Sequence, residues 1–348
     1  MTTRTRYFVI ASLLVLTVGL GTGLVAYYVG LPTSAFSSRG GPDELQYVPR
    51  DAAVLAYANV QEVMKSDLRR HIKDAMPVSE NGQREFQDQT GINIESDIDQ
   101  IVACLGVDAA MNAPHSGMVI ASGRFNIVKI EALMREHGAQ VEEYKGVRLL
   151  VGSARTMHGK ADADASTAPS SGSSDTFALA FLKPGIIAVG GSPIVHRAVD
   201  LKHGGDNITT NDEVMTLVRS LEGGNNAWAL GHFDALRSKA RLPENVASRI
   251  PAITLFSVSA HVDGGLRGTL RADTRDDEAA NNLRDVVRGF LALGKMQTGG
   301  KPEVEALMQS LELGGTGKTV ALSFAVPAEL FDMMGHYAPH QMPKRQGH

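Results

Sequence analysis

From Tyr7 to Gly30 the chain reads YFVIASLLVLTVGLGTGLVAYYVG and carries no charge. As a helix this stretch would span roughly 36 Å, against a hydrocarbon core of about 30 Å in a bilayer. Few features restrict a chain more: such a segment crosses a membrane, and the remaining residues fold on one side of it. Arg4 and Arg6 precede the segment, and the next charge is Arg39. The positive-inside rule then leaves residues 1–6 as a cytoplasmic tail and exports the remainder. The address is the inner, cytoplasmic membrane, with the bulk of the chain on its periplasmic or extracellular side. A cleaved signal peptide is the competing reading, but its apolar region runs to only about 7–15 residues. Length favours an uncleaved single-pass anchor over 7–30. Within it, Gly19, Gly23 and Ala26 share a face at GxxxG spacing, where two helices approach closely; this is a possible homodimer contact.

Beyond the anchor the charge balance is modestly acidic. The whole chain carries −4, and residues after Gly30 hold 32 basic against 38 acidic groups. Nucleic acid needs a basic footprint, so it is excluded as a partner. A single cysteine, Cys104, rules out an intrachain disulfide and a cysteine zinc site. Its setting, IVACLGV, is apolar and marks a core thiol rather than a nucleophile.

The stretch ELGGTGKTVAL, residues 312–322, imitates a phosphate-binding loop through Gly317, Lys318 and Thr319. The full motif needs a glycine where Glu312 stands, and it must open a helix. Here Val320 to Val326 is β-branched, aromatic and small, and Pro327 closes it. The stretch is therefore a glycine turn between two strands, and nucleotide binding is rejected. Ser192 lies in GGSPI rather than a nucleophile elbow, and no HExxH motif is present. His196 and His203 lack a third ligand, while His336, His340 and His348 sit in a polar tail. His261 alternates with apolar neighbours and is expected to face solvent. Asp162 and Asp164 lack the calcium-loop spacing. No catalytic, cofactor-binding or metal-binding residue is nominated.

Residues 31–46, LPTSAFSSRGGPDELQ, read as a tether. A first α+β unit follows over 47–222. It contains an extended run into Asn59, whose spacing to Glu62 is that of a capping box. Met64, Leu68, Ile72 and Met76 then form one helical stripe. Strands are expected over 116–125, 147–152 and both sides of Lys183-Pro184-Gly185, with helices starting at Asn126, Ser192 and Thr210. Residues 157–176 are almost without large apolar groups and read as a disordered insertion.

A second unit over 223–335 repeats the order. A strand in NAWALGHF leads to a short helix ending at Ala240. A hairpin follows around Asp263-Gly264-Gly265, then a helix opened by Thr274 and Asp277. That helix should bury Ala279, Leu283, Val286, Val287, Phe290 and Leu291 and stop at Gly294. Residues 336–348 complete the chain as the polar tail. AVLAYANVQEVMKS parallels NAWALGHFDALRSK, and SGMVIASGRFNIVKIEALMREHG parallels LRGTLRADTRDDEAANNLRDVVRGF. The expected architecture is α+β: a transmembrane helix, then duplicated strand–helix units forming antiparallel sheets covered by helices.

DELQYVPRDAAVLAYANVQEVMKSDLR, FQDQTGINIESDID and LELGGTGKTVALSFAVPAEL together resemble a family of membrane-anchored bacterial proteins of unknown function. Those proteins carry an exported repeat domain closed by a hairpin. The resemblance implies an address and an architecture, and no activity. The expected function is an extracytoplasmic binding or scaffold protein, whose partner is an envelope protein, a lipid or a polymer. A carrier of an apolar ligand, or a hydrolase whose site assembles from scattered residues, are the alternatives.

Overall fold

The structure is a computed structural model, and it describes residues 41–75, 87–93, 95–106, 117–153, 176–233, 252–296, 302–327 and 330. The expected anchor with Gly19, Gly23 and Ala26, residues 31–40 of the tether, the insertion up to residue 175, the helix expected up to Ala240 and the polar tail lie outside them. No helix among the described residues is long and apolar enough to cross a membrane.

Period-two patterning dominates the described chain, and it forms twelve strands. These are β1 Val54–Ala58, β2 Ile98–Leu105, β3 Gly117–Gly123, β4 Gln140–Tyr144, β5 Val147–Ser153 and β6 Thr176–Lys183. The series continues with β7 Ile186–Gly191, β8 Ala227–His232, β9 Ile253–Val262, β10 Gly265–Thr274, β11 Glu312–Gly314 and β12 Thr319–Pro327. Among the described residues they are accompanied by helices α1 Val60–Lys65, α2 Asp67–Ala75, α3 Ile127–Glu136, α4 Ser192–Lys202, α5 Asp212–Glu222, α6 Asp277–Met296 and α7 Pro302–Ser310. The fold is α+β. Its strands make one sheet rather than several, in the order β4-β5-β6-β7-β3-β2-β1-β8-β9-β10-β12-β11. Every neighbouring pair is antiparallel.

Both faces of the sheet carry core. On the first, Leu55, Val102, Met118, Leu149 and Trp228 pack with Val195 and Val199 of α4 and Met215 and Val218 of α5. On the second, Ile101, Ile187, Leu266 and Phe324 pack with Leu68 of α2, Ile130 of α3 and Leu307 of α7. The β1–β8 pair at the centre joins the two halves, with Ala56 opposite Ala229.

The tether is shorter than its composition suggests. Asp43–Tyr47 form a 3-10 turn in which Glu44, Leu45 and Tyr47 are buried, so the folded part begins before residue 47. Leu45 is a core side chain placed among turn residues, which a composition window averages away.

Asn59 caps α1 as expected, accepting from the Glu62 amide at 3.2 Å while its own amide donates to the Glu62 carboxylate at 3.0 Å. The stripe from Met64 is broken, however, at Ser66. Its hydroxyl donates to the Val63 carbonyl at 2.6 Å and accepts from the Arg69 amide at 3.1 Å, closing α1 and capping α2. Asn211, not Thr210, caps α5. Asp276 caps α6 through the Ala279 amide at 2.8 Å, because Thr274 is occupied with the Asp276 and Lys318 carbonyls.

The phosphate-loop imitation is a hairpin turn, with Gly315 at φ +91° and Gly317 at φ +55° between β11 and β12. The Gly317 and Thr319 carbonyls accept from Arg284 of α6, so this loop presents acceptors inward. Helix α6 departs from expectation. It continues to Met296, and Val286 and Phe290 are exposed rather than buried. The sheet beneath it tapers to the three-residue β11, too narrow to cover the whole apolar arc of a 20-residue helix.

Candidate functional site

Ser192, His196 and Glu142 come closest to a catalytic constellation. The tight turn of β7 into α4 places Ser192 one helical turn before His196. His196 Nε2 lies 3.3 Å from Glu142 Oε1 on edge strand β4. Nδ1 lies 3.3 Å from the Ser192 hydroxyl but 2.7 Å from the Ser192 carbonyl. A carbonyl at 2.7 Å can only accept, so Nδ1 carries a proton and does not serve as base for the hydroxyl. With Nε2 facing a carboxylate, His196 is a clamp between α4 and β4. Tyr144 sits edge-on to its ring and donates to Asp200 at 3.0 Å, and Lys145 pairs with the same carboxylate at 2.6 Å. Those hydrogen bonds, Lys145 first, hold Asp200 below the usual carboxylate range.

The other groups weighed in the sequence do not assemble either. Burial pushes the Cys104 thiol up to about 12, which removes it as a nucleophile at neutral pH. His203 lies exposed just beyond the end of α4. His261 is half-buried rather than solvent-facing, with Arg267 its cross-strand neighbour on β10. Among the described residues no group of three or more His, Cys, Asp or Glu side chains could hold a metal ion.

A buried polar chain runs through the centre of the first face. Tyr57 of β1 donates to Gln100 Oε1 at 3.1 Å, and Gln100 Nε2 donates to Glu44 Oε2 at 2.8 Å. Tyr57 stacks on Trp228 of β8, with ring centroids 5.5 Å apart. Burial, then Glu62 and Glu44, raises the Tyr57 phenol above its ordinary value. The chain ties the turn after the tether to the middle of the sheet. It is a fastening, since Glu44 is only 2% exposed.

The accessible chemistry lies further along the same face. Because side chains alternate, the partners of Trp228 and Leu230 on β9 are Ser259, half-buried, and Ser257, which is still buried. The pattern passes to Arg267, Thr269, Arg271 and Asp273 on β10, then to Ala325, Ser323, Ala321 and Thr319 on β12. Arg267, Arg271 and Ala325 are exposed; α2 and α7 bury their apolar residues on the opposite face, and α5 reaches this one at β8 and β9. Thr269 and Ser323 hydroxyls lie 3.1 Å apart. Asp273 accepts from Arg271 at 3.2 Å and from Thr319 at 2.5 Å. Where this face meets α5, a cleft of about 570 Å³ opens between Asp212, Glu213, Thr216 and Leu217 of the helix and Thr254, Leu255 and Asp273 of the strands. No residue of this surface is nominated for binding from the sequence, and Thr319 enters there only through the rejected phosphate-loop pattern. Its signal was the polar phase of GLRGTLRADT, which a reading for apolar periodicity passes over.

These features define an α+β protein whose described strands form one antiparallel sheet, with a polar stretch of β9, β10 and β12 left open to solvent. No family model and no curated protein matches the chain. Among solved structures, crystal form I of TP0453 is similar over 86% of this chain and 99% of that one, at 11% identity and a TM-score of 0.43. A superposition that loose leaves function to be argued from this chain's own residues.

Proposed function

We propose that the chain is a membrane-anchored, extracytoplasmic binding protein, made of two copies of one α+β unit, which binds its partner on the polar face of β9, β10 and β12. The observation that carries this reading is that open face. A sheet buries apolar residues on whichever side it covers, so alternate Ser, Thr and Arg on three adjacent strands mark a surface kept for water or a partner. Hydroxyls and guanidinium groups suit a partner rich in oxygen acceptors, either an envelope protein or a polymer. The uncharged segment 7–30 supports the anchor, and Gly19, Gly23 and Ala26 support close helix approach within it.

Duplication is supported by a coincidence of registers. Aligning AVLAYANVQEVMKS with NAWALGHFDALRSK equates Ala56 with Ala229, and those two residues face one another in the β1–β8 pair. A two-fold axis through that pair relates equivalent residues, as in a symmetric dimer fused into one chain. Each half then continues outward through two further strands, β2 and β3 or β9 and β10, to a helix, α3 or α6.

A photo-crosslinking residue at Arg267 or Thr269 in intact cells tests the binding face, with one at exposed Val128 on α3 as control. Adducts should form from the face and not from Val128. Equal yields from both would remove the proposal. A tag before Arg4 should resist protease added outside the cell while the domain is digested.

A further inference from the structure

We propose that His196 is a proton-operated latch for edge strand β4, holding the strand to α4 when the ring is charged and letting it go when the ring is neutral. The sequence sets the ring in place. Pro193 sits in the first turn of α4, and Ser192 and His196, four residues apart, lie one above the other on it. Nδ1 therefore stands 2.7 Å from the Ser192 carbonyl, while Nε2 faces Glu142 Oε1 of β4 at 3.3 Å. A carbonyl and an ionised carboxylate accept and do not donate. Two acceptors on two ring nitrogens call for two N–H donors, and only the imidazolium has both. A neutral ring with its proton on Nδ1 turns a lone pair on Glu142. With its proton on Nε2 it turns a lone pair on the Ser192 carbonyl, and the Ser192 hydroxyl that can donate there stands farther off, at 3.3 Å. The shorter contact keeps the single proton, so the contact that fails is the one that leaves α4.

The second contact between the same elements does not share this sensitivity. Tyr144 and Lys145 bond Asp200 at 3.0 and 2.6 Å. The hydrogen bond between Lys145 and Asp200 holds the amine above its ordinary value and the carboxyl below, so this pair stays charged between about pH 5 and 8, where imidazoles titrate. Arg197, the next residue of α4, is turned to Asp51 at 2.6 Å. Strands β3, β6 and β7, on which α4 packs, turn apolar side chains to it. The turn Asp43–Tyr47 packs there too, with Glu44 buried on Gln100 and Asp43 exposed. Glu143 alternates to the other face of the sheet. Glu142 is thus the charge that faces Nε2, and among the described residues it has no other partner. β4 has β5 on one side and no strand on the other among the described residues, so one ladder holds it and a side-chain contact changes how often it opens. The latch contributes at acid pH and is lost as pH rises through the imidazole range. His196 is 24% exposed and Glu142 47%, so water screens the pair and the effect is about threefold.

Hydrogen exchange of the full chain in neutral detergent micelles, read by mass spectrometry over β4 and β6 and corrected for its intrinsic pH dependence, tests the latch. Protection of β4 relative to β6 should fall about threefold between about pH 5.5 and 8. Glu142→Gln should abolish that fall, because its amide accepts from an N–H or donates to a bare nitrogen and so meets the ring in either state. His196→Gln, which has nothing to titrate, should abolish it as well. Asp200→Asn should lower protection at both pH values and leave their ratio. Trp228 emission checks that each variant is folded, and if Glu142→Gln is not, His196→Gln decides. Equal wild-type protection at the two pH values overturns the proposal, and so does a fall that persists in either folded variant. Loss of the fall in Asp200→Asn would assign the proton to the other contact and overturn it too.

Discussion

Replacing Gln100 by Leu separates a fastening from an incidental contact. Gln100 holds two groups at once: it donates to the Glu44 carboxylate at 2.8 Å and accepts from the Tyr57 hydroxyl at 3.1 Å. Leucine fills similar space, so little of the effect is a cavity. It leaves a carboxylate that is 2% exposed without this donor, and a phenol without this acceptor. A hydrogen bond to a charged group contributes about 1.5–3 kcal/mol, and stranding a neutral buried one costs about 1–3 kcal/mol. Gln100→Leu should therefore destabilise by roughly 3–4 kcal/mol. Adding Glu44→Gln removes the stranded charge and should recover at least about 1 kcal/mol, since the two residues act as one unit. Trp228 is the sole tryptophan, is 1% exposed and stacks on Tyr57, so its emission follows unfolding in urea. A single variant within about 1 kcal/mol of wild type would refute the reasoning, as would a double variant destabilised by the full sum.

The remaining predictions address caps, turns and titration. Asn211→Ala should cost about 1 kcal/mol of urea stability and Thr210→Ala clearly less, because the side chain of Asn211 caps α5. Gly315→Ala should cost about 1–3 kcal/mol, since φ is +91° and a Cβ there would collide with the Thr319 carbonyl. Lys318→Ala should leave stability within about 0.5 kcal/mol and nucleotide binding absent, as expected of an exposed turn residue. Cys104 should resist a maleimide in the folded chain at pH 8 and react once unfolded. The unfolded thiol ionises near 9.0 and the folded one near 12, so the folded state holds its proton longer. The unfolded chain then gains up to about 1.4 kcal/mol per pH unit above 9, a loss that Cys104→Ala should remove.

Much of the architecture was legible because apolar periodicity reports which side of an element is buried. The hairpin of β9 and β10, the strands around Lys183-Pro184-Gly185 and the turn before β12 all lie where their patterns place them. β4 escaped because an edge strand of sequence QVEEY buries almost nothing and shows no alternation. The break at Ser66 escaped because one hydroxyl can end a helix and cap the next without disturbing the apolar stripe. The exposure of Phe290 escaped for a different reason: an apolar arc records what a helix is able to bury, not the width of the sheet beneath it. The candidate site was illegible throughout, since Asp273 and Thr319 meet only after strands distant in sequence pair across the sheet.

The contrast between the two halves locates the binding surface more closely than either half alone. On the first face α4 covers the strands of the first half and α5 packs on β8 and β9, while β10 and β12 present Arg267, Arg271 and Ala325 to solvent. If that face is built for a partner, its hydroxyls contribute to recognition and not to stability. Thr269→Val with Ser323→Val replaces the 3.1 Å hydroxyl pair by methyl groups on adjacent strands. Valine suits a strand and the site is partly open to water, so stability should stay within about 0.5 kcal/mol or rise slightly. Adduct formation from a photo-crosslinker at Arg267 should fall several-fold in the same variant, because a partner loses two donors on a surface it must desolvate. A loss of more than about 1.5 kcal/mol would mean that those hydroxyls hold the sheet together. Unchanged adducts with unchanged stability would move the contact to the Arg271–Asp273 end of the face, beside the cleft under α5.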